Sequence, residues 1–189
     1  MRWLLPHTES QLEFMRQVEE RSAQILAACY QCGKCSAGCP IMFAMDYPPN
    51  QIIRMVQLGM HEAVLSSRSI WLCASCETCT TRCPQEVDLA GVMDALRRMA
   101  YAEGIKSPEK DVPLFHRIFL GSVRRHGRVF EMGMMGIYNV RSGHYLKDIL
   151  MAPKMFLKGK LSLLPPRDRN IEGLKEMFAK ARELEARLG

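Results

Sequence analysis

The 189-residue sequence predicts an all-α fold: a helical domain carrying all the cysteines, followed by a helical C-terminal extension. Three observations predict it. Apolar residues recur at helical spacing between capping residues and glycine stops, and no segment alternates as a strand does. Hydrophobic residues make up 48% and charged residues 24%, the balance of a chain that buries a core. The charge is divided: residues 1–96 carry net −3, residues 97–128 net +5 and residues 129–189 net +4, while all eight cysteines fall in the acidic part. We therefore expect a cysteine domain over 1–104 and a basic, cysteine-free extension over 105–189, serving to dock a partner.

The elements follow in order. Thr8-Glu9-Ser10-Gln11 is a capping box. Leu12, Met15, Val18, Ile25 and Leu26 then mark a helix expected to run into the first cysteines. Tyr47-Pro48-Pro49-Asn50 is a turn, and Pro49 opens a short helix that ends at Gly59. A helix over 61–72 is expected to break at Ser66-Ser67. Asp88 caps a helix bearing Leu89, Val92, Met93, Leu96, Met99 and Ala100, which Gly104 stops. The next helix starts at Ser107-Pro108 or at Asp111 and ends near Gly127. Gly133 and Gly136 weaken the helical reading of 132–140, since each glycine costs a helix about 1 kcal/mol. Residues 146–151 read as helix, 163–166 as extended chain, and 171–188 as a closing amphipathic helix.

A membrane span is not expected. The longest charge-free stretch, Ser22 to Gly33, is twelve residues and includes Ser, two Gln and two Cys, whereas a spanning helix needs about 20 mostly apolar residues. The first residues lack the apolar run of a signal peptide, so a cytoplasmic protein is expected. In that compartment eight thiols serve metals more readily than disulfides. Nucleic acid is not an expected partner despite the basic half, because no helix-turn-helix, zinc-finger spacing or aromatic-rich strand pattern accompanies it.

The cysteines carry the chemistry. Cys29-x-x-Cys32-x-x-Cys35-x-x-x-Cys39-Pro40 recurs as Cys73-x-x-Cys76-x-x-Cys79-x-x-x-Cys83-Pro84, offset by 44 residues at every cysteine. It is the run that bacterial two-cluster ferredoxins use. Three thiolates at this spacing wrap one face of a cubane, and the fourth iron takes its ligand from elsewhere. We expect Cys29, Cys32, Cys35 and Cys83 on one 4Fe–4S cluster, and Cys73, Cys76, Cys79 and Cys39 on a second. Crossed ligation of this kind couples folding to metal insertion. Gly33 and Gly38 relieve crowding beside the sulfurs; Lys34, Ser36, Thr78 and Thr80 are expected to be exposed loop residues, with hydrogen bonds toward the sulfurs as the alternative. Two competing readings are disulfides, which nothing about the chain's setting favours, and two zinc sites, which need paired cysteines rather than a four-cysteine run closed by proline. With both clusters in place the cysteine half would stand near −7 and the extension near +9, roughly.

No catalytic residue is expected. His7, His61, His116, His126 and His144 sit in no hydrolase or zinc pattern. No G-x-G-x-x-G or phosphate loop provides for flavin, nicotinamide or ATP. With all eight thiols committed to clusters, none remains for thiol exchange.

The stretch between Cys39 and Cys73 reads as helices, so the chain resembles the α-helical ferredoxin class rather than the β-rich one. More narrowly, residues 29–40 (CYQCGKCSAGCP), 71–84 (WLCASCETCTTRCP), Val87-Asp88-Leu89 and the tail 151–165 (MAPKMFLKGKLSLLP) are similar to the iron–sulfur protein (HdrC) of heterodisulfide reductase. That resemblance implies a non-catalytic electron-transfer component of an oxidoreductase complex. It would relay electrons between a flavin protein (HdrA) and a cysteine-rich catalytic protein (HdrB) that reduces a disulfide, with a further electron-donor module as a potential partner. The alternatives are an iron–sulfur component of another dehydrogenase or a free helical ferredoxin.

Overall fold

The structure, a computed structural model, describes residues 9–145, 152–159 and 171–188. Every regular element among them is helical, and none is long and apolar enough to cross a membrane. The chain divides into two compact units, residues 1–109 and 110–189.

In the first unit, α1 (Glu9–Ser22) stops well short of the cysteines, contrary to expectation. The Ser22 hydroxyl turns back to the Val18 carbonyl at 2.6 Å, and Ala23 takes a left-handed φ of +53°. The Glu19 carboxylate then accepts the Leu26 N–H at 2.6 Å, and a 3₁₀ turn, Leu26–Ala28, delivers the chain to Cys29. The buried face of α1 is carried by Phe14 and Val18, while Leu12 and Ile25 are exposed. The predicted capping box lies partly outside the described residues.

Helix α2 (Lys34–Ala37) lies inside the first cysteine run, and α3 (Pro49–Gln57) follows the Pro48-Pro49 turn. The expected break in 61–72 separates α4 (His61–Leu65) from α5 (Ser69–Leu72). Its cause is Asp46, whose carboxylate accepts from the N–H groups of Arg68 and Ser69 at 2.8 and 2.9 Å and from the Ser69 hydroxyl. Helix α6 (Thr78–Thr81) lies inside the second cysteine run. Helix α7 (Leu89–Ala102) is capped as expected: Asp88 accepts the Gly91 N–H at 3.0 Å, and Gly104 follows at a left-handed φ of +69°.

Helix α7 is the spine of this unit, packing against α1, α4, α5 and α6. Its Val92, Met93, Leu96 and Met99 join Ile52, Ile53 and Val56 of α3 and Leu65 and Ile70 in one core. Full burial of each such side chain contributes about 1.5–3 kcal/mol. Cys29, Cys35, Cys73, Cys79 and Cys83 pack directly on this core, so the two cysteine runs rest on a rigid floor.

The second unit contains α8 (Asp111–His126), α9 (Glu131–Ser142), α10 (Ala152–Leu157) and α11 (Ile171–Leu188). Helix α8 starts at Asp111, the second of the two starts read from the sequence, and ends at Gly127. Helix α9 forms despite its glycines, with the Phe130 ring lying over Gly133 where a Cβ would otherwise be. Both α9 and α11 pack on α8, and the Phe115 ring meets Tyr138 edge-on at 5.9 Å. Among the described residues α8 buries Ile118 and α9 buries none, so this unit exposes much of its apolar surface. The expected helix 146–151 and extended segment 163–166 lie outside the described residues.

Candidate functional site

The sequence repeat is also a backbone repeat. Gln31 and Ser75 are both left-handed, at φ +64° and +49°, and so are Gly33 and Glu77, at +75° and +59°. Each pair is 44 residues apart. Helices α2 and α6 then occupy matching positions. The Cys39 N–H bonds the Ser36 carbonyl at 3.1 Å, and the Cys83 N–H bonds the Thr80 carbonyl at 3.1 Å. Left-handed backbone costs a non-glycine residue about 1–2 kcal/mol. Gln31, Ser75 and Glu77 accept that cost at corresponding places, which marks the loop shape as a demand of the site. Alternating backbone handedness of this kind is how N–H groups converge on an anion.

The two loops meet. Helices α2 and α6 pack against each other. A Cβ built on Gly38 would lie 2.7 Å from Arg82 Cδ, so the arginine before Cys83 lies over the glycine before Cys39.

One cavity of the first unit is lined by Cys39 from the first run together with Cys73, Cys76 and Cys79 from the second. Ile41, Met45, Pro49, Leu89, Ala90 and Met93 complete most of its wall, so the sulfurs face apolar surroundings. In the first run the Cys29 thiol is close enough to push the Cys35 thiol upward, adding to burial, which is the larger cause. The Tyr30 phenol is raised by burial and by the neighbouring Cys32 and Cys83 thiols. Cys32 and Cys76, at equivalent places, are the exposed cysteines, and the other six are half-buried.

The thiols differ in their readiness to ionise. Burial pushes Cys79 up, as it does Cys35. Thr78 hydrogen-bonds Cys76 through its hydroxyl and its N–H, favouring the thiolate and holding that thiol below the usual range. Metal binding to the buried pair therefore includes proton release.

The donor set suits a polynuclear cluster. All eight candidates are free thiols, and four of them, drawn from both runs, line one largely apolar cavity. In a cubane each thiolate holds its own iron, so one cluster takes four such ligands.

Side chains outside the cysteine runs hold the loops. Ser36, 8% exposed, donates its hydroxyl to Asn50 Oδ1 at 2.6 Å and accepts the Asn50 N–H at 3.0 Å. Its counterpart Thr80 donates to Asp88 Oδ1 at 2.8 Å. Each residue after a third cysteine is thus tied to the start of the helix that follows its loop. The expectation that Ser36 is an exposed loop residue is corrected: it is a buried tie. Gln31 Nε2 lies 3.5 Å from Cys29 Sγ, and Gln31 Oε1 accepts from Asn50 Nδ2 at 3.4 Å. From the far end of α3, Gln57 Nε2 donates to the carbonyls of Leu26 and Cys29 at 2.8 and 3.2 Å. From α7, Arg97 donates to the Cys73 carbonyl at 3.2 Å and to Ser75 Oγ at 2.8 Å. Sequence reasoning misses the roles of Asn50, Gln57 and Arg97. Their partners lie 14 to 31 residues away, and only the doubled motif hints that each loop needs such a clasp.

A larger concavity lies in the second unit between α8 and α9. Its walls mix Ile118, Phe130, Met134, Ile137 and Val140 with Arg117, Arg125, His126 and Arg141, and include no acid.

Residues 25–87, about a third of the chain, match a family described as a 4Fe-4S dicluster domain. The chain is similar to the iron–sulfur C chain of the CoB–CoM heterodisulfide reductase of Methanopyrus kandleri, 37% identical over 86 residues, 46% of this chain and 45% of that one. It is 42% identical over 81 residues to the corresponding component of the ferredoxin:CoB-CoM heterodisulfide reductase of Methanosarcina acetivorans, covering 43% of this chain and 32% of that one. Over 96 residues it is 31% identical to that of the H(2):CoB-CoM heterodisulfide,ferredoxin reductase of Methanothermobacter thermautotrophicus, 51% of this chain and 52% of that one. The matched stretch spans about half the length of these relatives, or less.

Proposed function

We propose that this chain, similar as it is to the iron–sulfur HdrC proteins of heterodisulfide reductases, is an iron–sulfur electron-transfer component of a heterodisulfide-reductase-like complex. It relays electrons between a flavin protein of the HdrA kind and a cysteine-rich catalytic protein of the HdrB kind that reduces a disulfide. The observation that supports this reading best is the cavity Cys39 shares with Cys73, Cys76 and Cys79, a set drawn from both cysteine runs. In this reading Cys73, Cys76, Cys79 and Cys39 hold one 4Fe–4S cluster, and Cys29, Cys32, Cys35 and Cys83 the other. When bound, such clusters supply one-electron transfer over a wide range of potentials.

The rest is the work of the chain's own residues. The buried core under the loops holds five of the thiols, Cys29, Cys35, Cys73, Cys79 and Cys83, in place, so little rearrangement accompanies a change of charge. The apolar wall formed by Leu89, Ala90 and Met93 excludes water from one side of the sulfurs. Exposed Cys32 and Cys76 leave each loop one edge through which a partner's redox centre is approached. The domain of residues 1–104 holds the clusters, and residues 105–189 dock a partner. The α8–α9 groove supports this second role: its arginines and lack of acids complement an acidic amphipathic helix.

The test is anaerobic purification of the native protein with analysis of iron, acid-labile sulfide, zinc and co-purifying chains. About eight irons and eight sulfides per chain, in a stable complex with a cysteine-rich protein, is the expected result. Zinc without sulfide overturns the redox reading, and a lone monomer with full cluster content overturns the complex.

A further inference from the structure

We propose that Arg97 raises the reduction potential of the cluster held by the second cysteine loop, a bias that Gln57, its counterpart, withholds from the first. The inference rests on the reading that both loops hold 4Fe–4S clusters.

The two residues occupy one structural role. Cys29 and Cys73 open the two runs, and the carbonyl of each is clasped by a side chain from the helix that follows its loop: Gln57 of α3 at 3.2 Å and Arg97 of α7 at 3.2 Å. The second contacts differ, since Gln57 also holds the Leu26 carbonyl before its loop, while Arg97 holds the Ser75 hydroxyl within its own. An uncharged amide on one side is thus replaced by a guanidinium, permanently charged, on the other.

The position makes that charge count. The Arg97 side chain is 14% exposed, and its Nε is buried without a hydrogen-bond partner. One turn before it on α7, Met93 lines the cavity shared by Cys39, Cys73, Cys76 and Cys79. The guanidinium therefore lies at the rim of the second site, where water screens it poorly. Reduction makes a cluster one unit more negative, and a nearby fixed positive charge favours the more negative form.

Other levers are present in both loops. Each exposes its second cysteine, Cys32 or Cys76. Each has side chains at its sulfurs: Gln31 at 3.5 Å from Cys29 Sγ and Ser36 Oγ at 4.0 Å from Cys35 Sγ in the first, Thr78 Oγ1 at 3.4 Å from Cys76 Sγ and Thr80 at Cys79 in the second. The charges opposing Arg97 are Asp94, Glu77 and Asp88. Asp94 pairs with Arg97 at 3.4 Å, but it is 56% exposed and shared with Arg98 at 3.4 Å. Glu77 is exposed, and Asp88 is engaged by Thr80 and the Gly91 N–H. Lys34 is the charged residue within the first run. All of these stay constant when Arg97 alone is changed.

The experiment is an anaerobic redox titration of the full chain with dithionite, followed by EPR, on wild type, Arg97→Gln, Arg97→Lys and Gln57→Arg. Iron and sulfide are measured on each. Arg97→Gln is expected to move one midpoint to lower potential and leave the other in place. Arg97→Lys is expected to retain most of the wild-type value, and Gln57→Arg to raise the second midpoint, the one Arg97→Gln left alone. Unchanged midpoints in Arg97→Gln at full iron content overturn the proposal. If Arg97→Gln loses iron, the decision passes to Gln57→Arg, where an unmoved midpoint at full iron content overturns it. A wild type without iron or sulfide overturns the two-cluster reading instead, and is recognised before any midpoint is compared.

Discussion

Ser36 and Asn50 hold each other twice: the Ser36 hydroxyl donates to Asn50 Oδ1 at 2.6 Å while its oxygen accepts the Asn50 N–H at 3.0 Å. The pair ties the residue after Cys35 to the first turn of α3. Ser36→Ala leaves a helix-start N–H and a half-buried amide without their partner, at a cost of about 1–2 kcal/mol. The thermal midpoint of the iron-loaded protein should fall accordingly, with iron lost from it sooner on mild heating. An unchanged midpoint would mean that water replaces the hydroxyl in full.

Gly38 and Arg82 make a second such pair, and here the expected cost depends on size. Arg82 is exposed and able to swing aside, so Gly38→Ala should cost less than about 1 kcal/mol, and Gly38→Val more. Arg82→Ala should recover much of the Gly38→Val loss, giving a coupling of about 0.5–1 kcal/mol in a double-mutant cycle. Additive losses would show that the contact does not limit the approach of the loops.

Crossed ligation predicts which cysteine variants behave alike. Cys39→Ser and Cys79→Ser should alter the same EPR signal, and Cys83→Ser and Cys35→Ser the other. Were each run to hold its own four ligands, Cys39→Ser would pair with Cys35→Ser.

Asp46 links stability to pH. Burial pushes its carboxyl up, but hydrogen bonds from the Ser69 hydroxyl and the N–H groups of Arg68, Ser69 and Tyr47 outweigh this and hold it below the usual carboxylate range. A depressed folded-state value contributes stability that is fully present above the unfolded value, about 3.9, and is lost as pH falls through the folded one. Asp46→Asn should therefore lower the thermal midpoint by a constant amount between pH 8 and 5, with the difference from wild type narrowing only below about pH 4. A gap that already closes near pH 6 would point to another group.

Docking through the α8–α9 groove should be salt-sensitive. Replacing Arg117 and Arg125 together by Glu should weaken partner binding tenfold or more, measured by titration of the partner proteins, with iron content unchanged. Anionic-vesicle binding by wild type that the double variant loses, with no loss of partner affinity, would assign the basic face to a lipid surface instead.

What the sequence makes legible is what local chemistry decides. Helix α7 is the clearest case: Asp88 caps it, Gly104 follows it, and the apolar stripe from Leu89 to Ala100 is the one that is buried. The break between α4 and α5 is visible as a serine pair, although its cause, the carboxylate of Asp46, is not. Helix α1 reads too long because the residues that end it act through Ala23's left-handed turn and a Glu19–Leu26 bond, neither of which periodicity reveals. The candidate site divides in the same way. The cysteine spacing is a local signal and reads directly. The clasps by Asn50, Gln57 and Arg97 depend on how α3 and α7 return over the loops, which no short window of sequence contains.

The exposure of Cys32 and Cys76 has a chemical cost. An edge open to a redox partner is equally open to dioxygen, which strips electrons and then iron from exposed cubanes. If clusters are held there as proposed, the free chain is expected to bleach in air from those two corners inward, and a protein seated over them to slow the loss. Air stability, rather than affinity alone, then becomes a measure of how completely an assembly has closed around this protein.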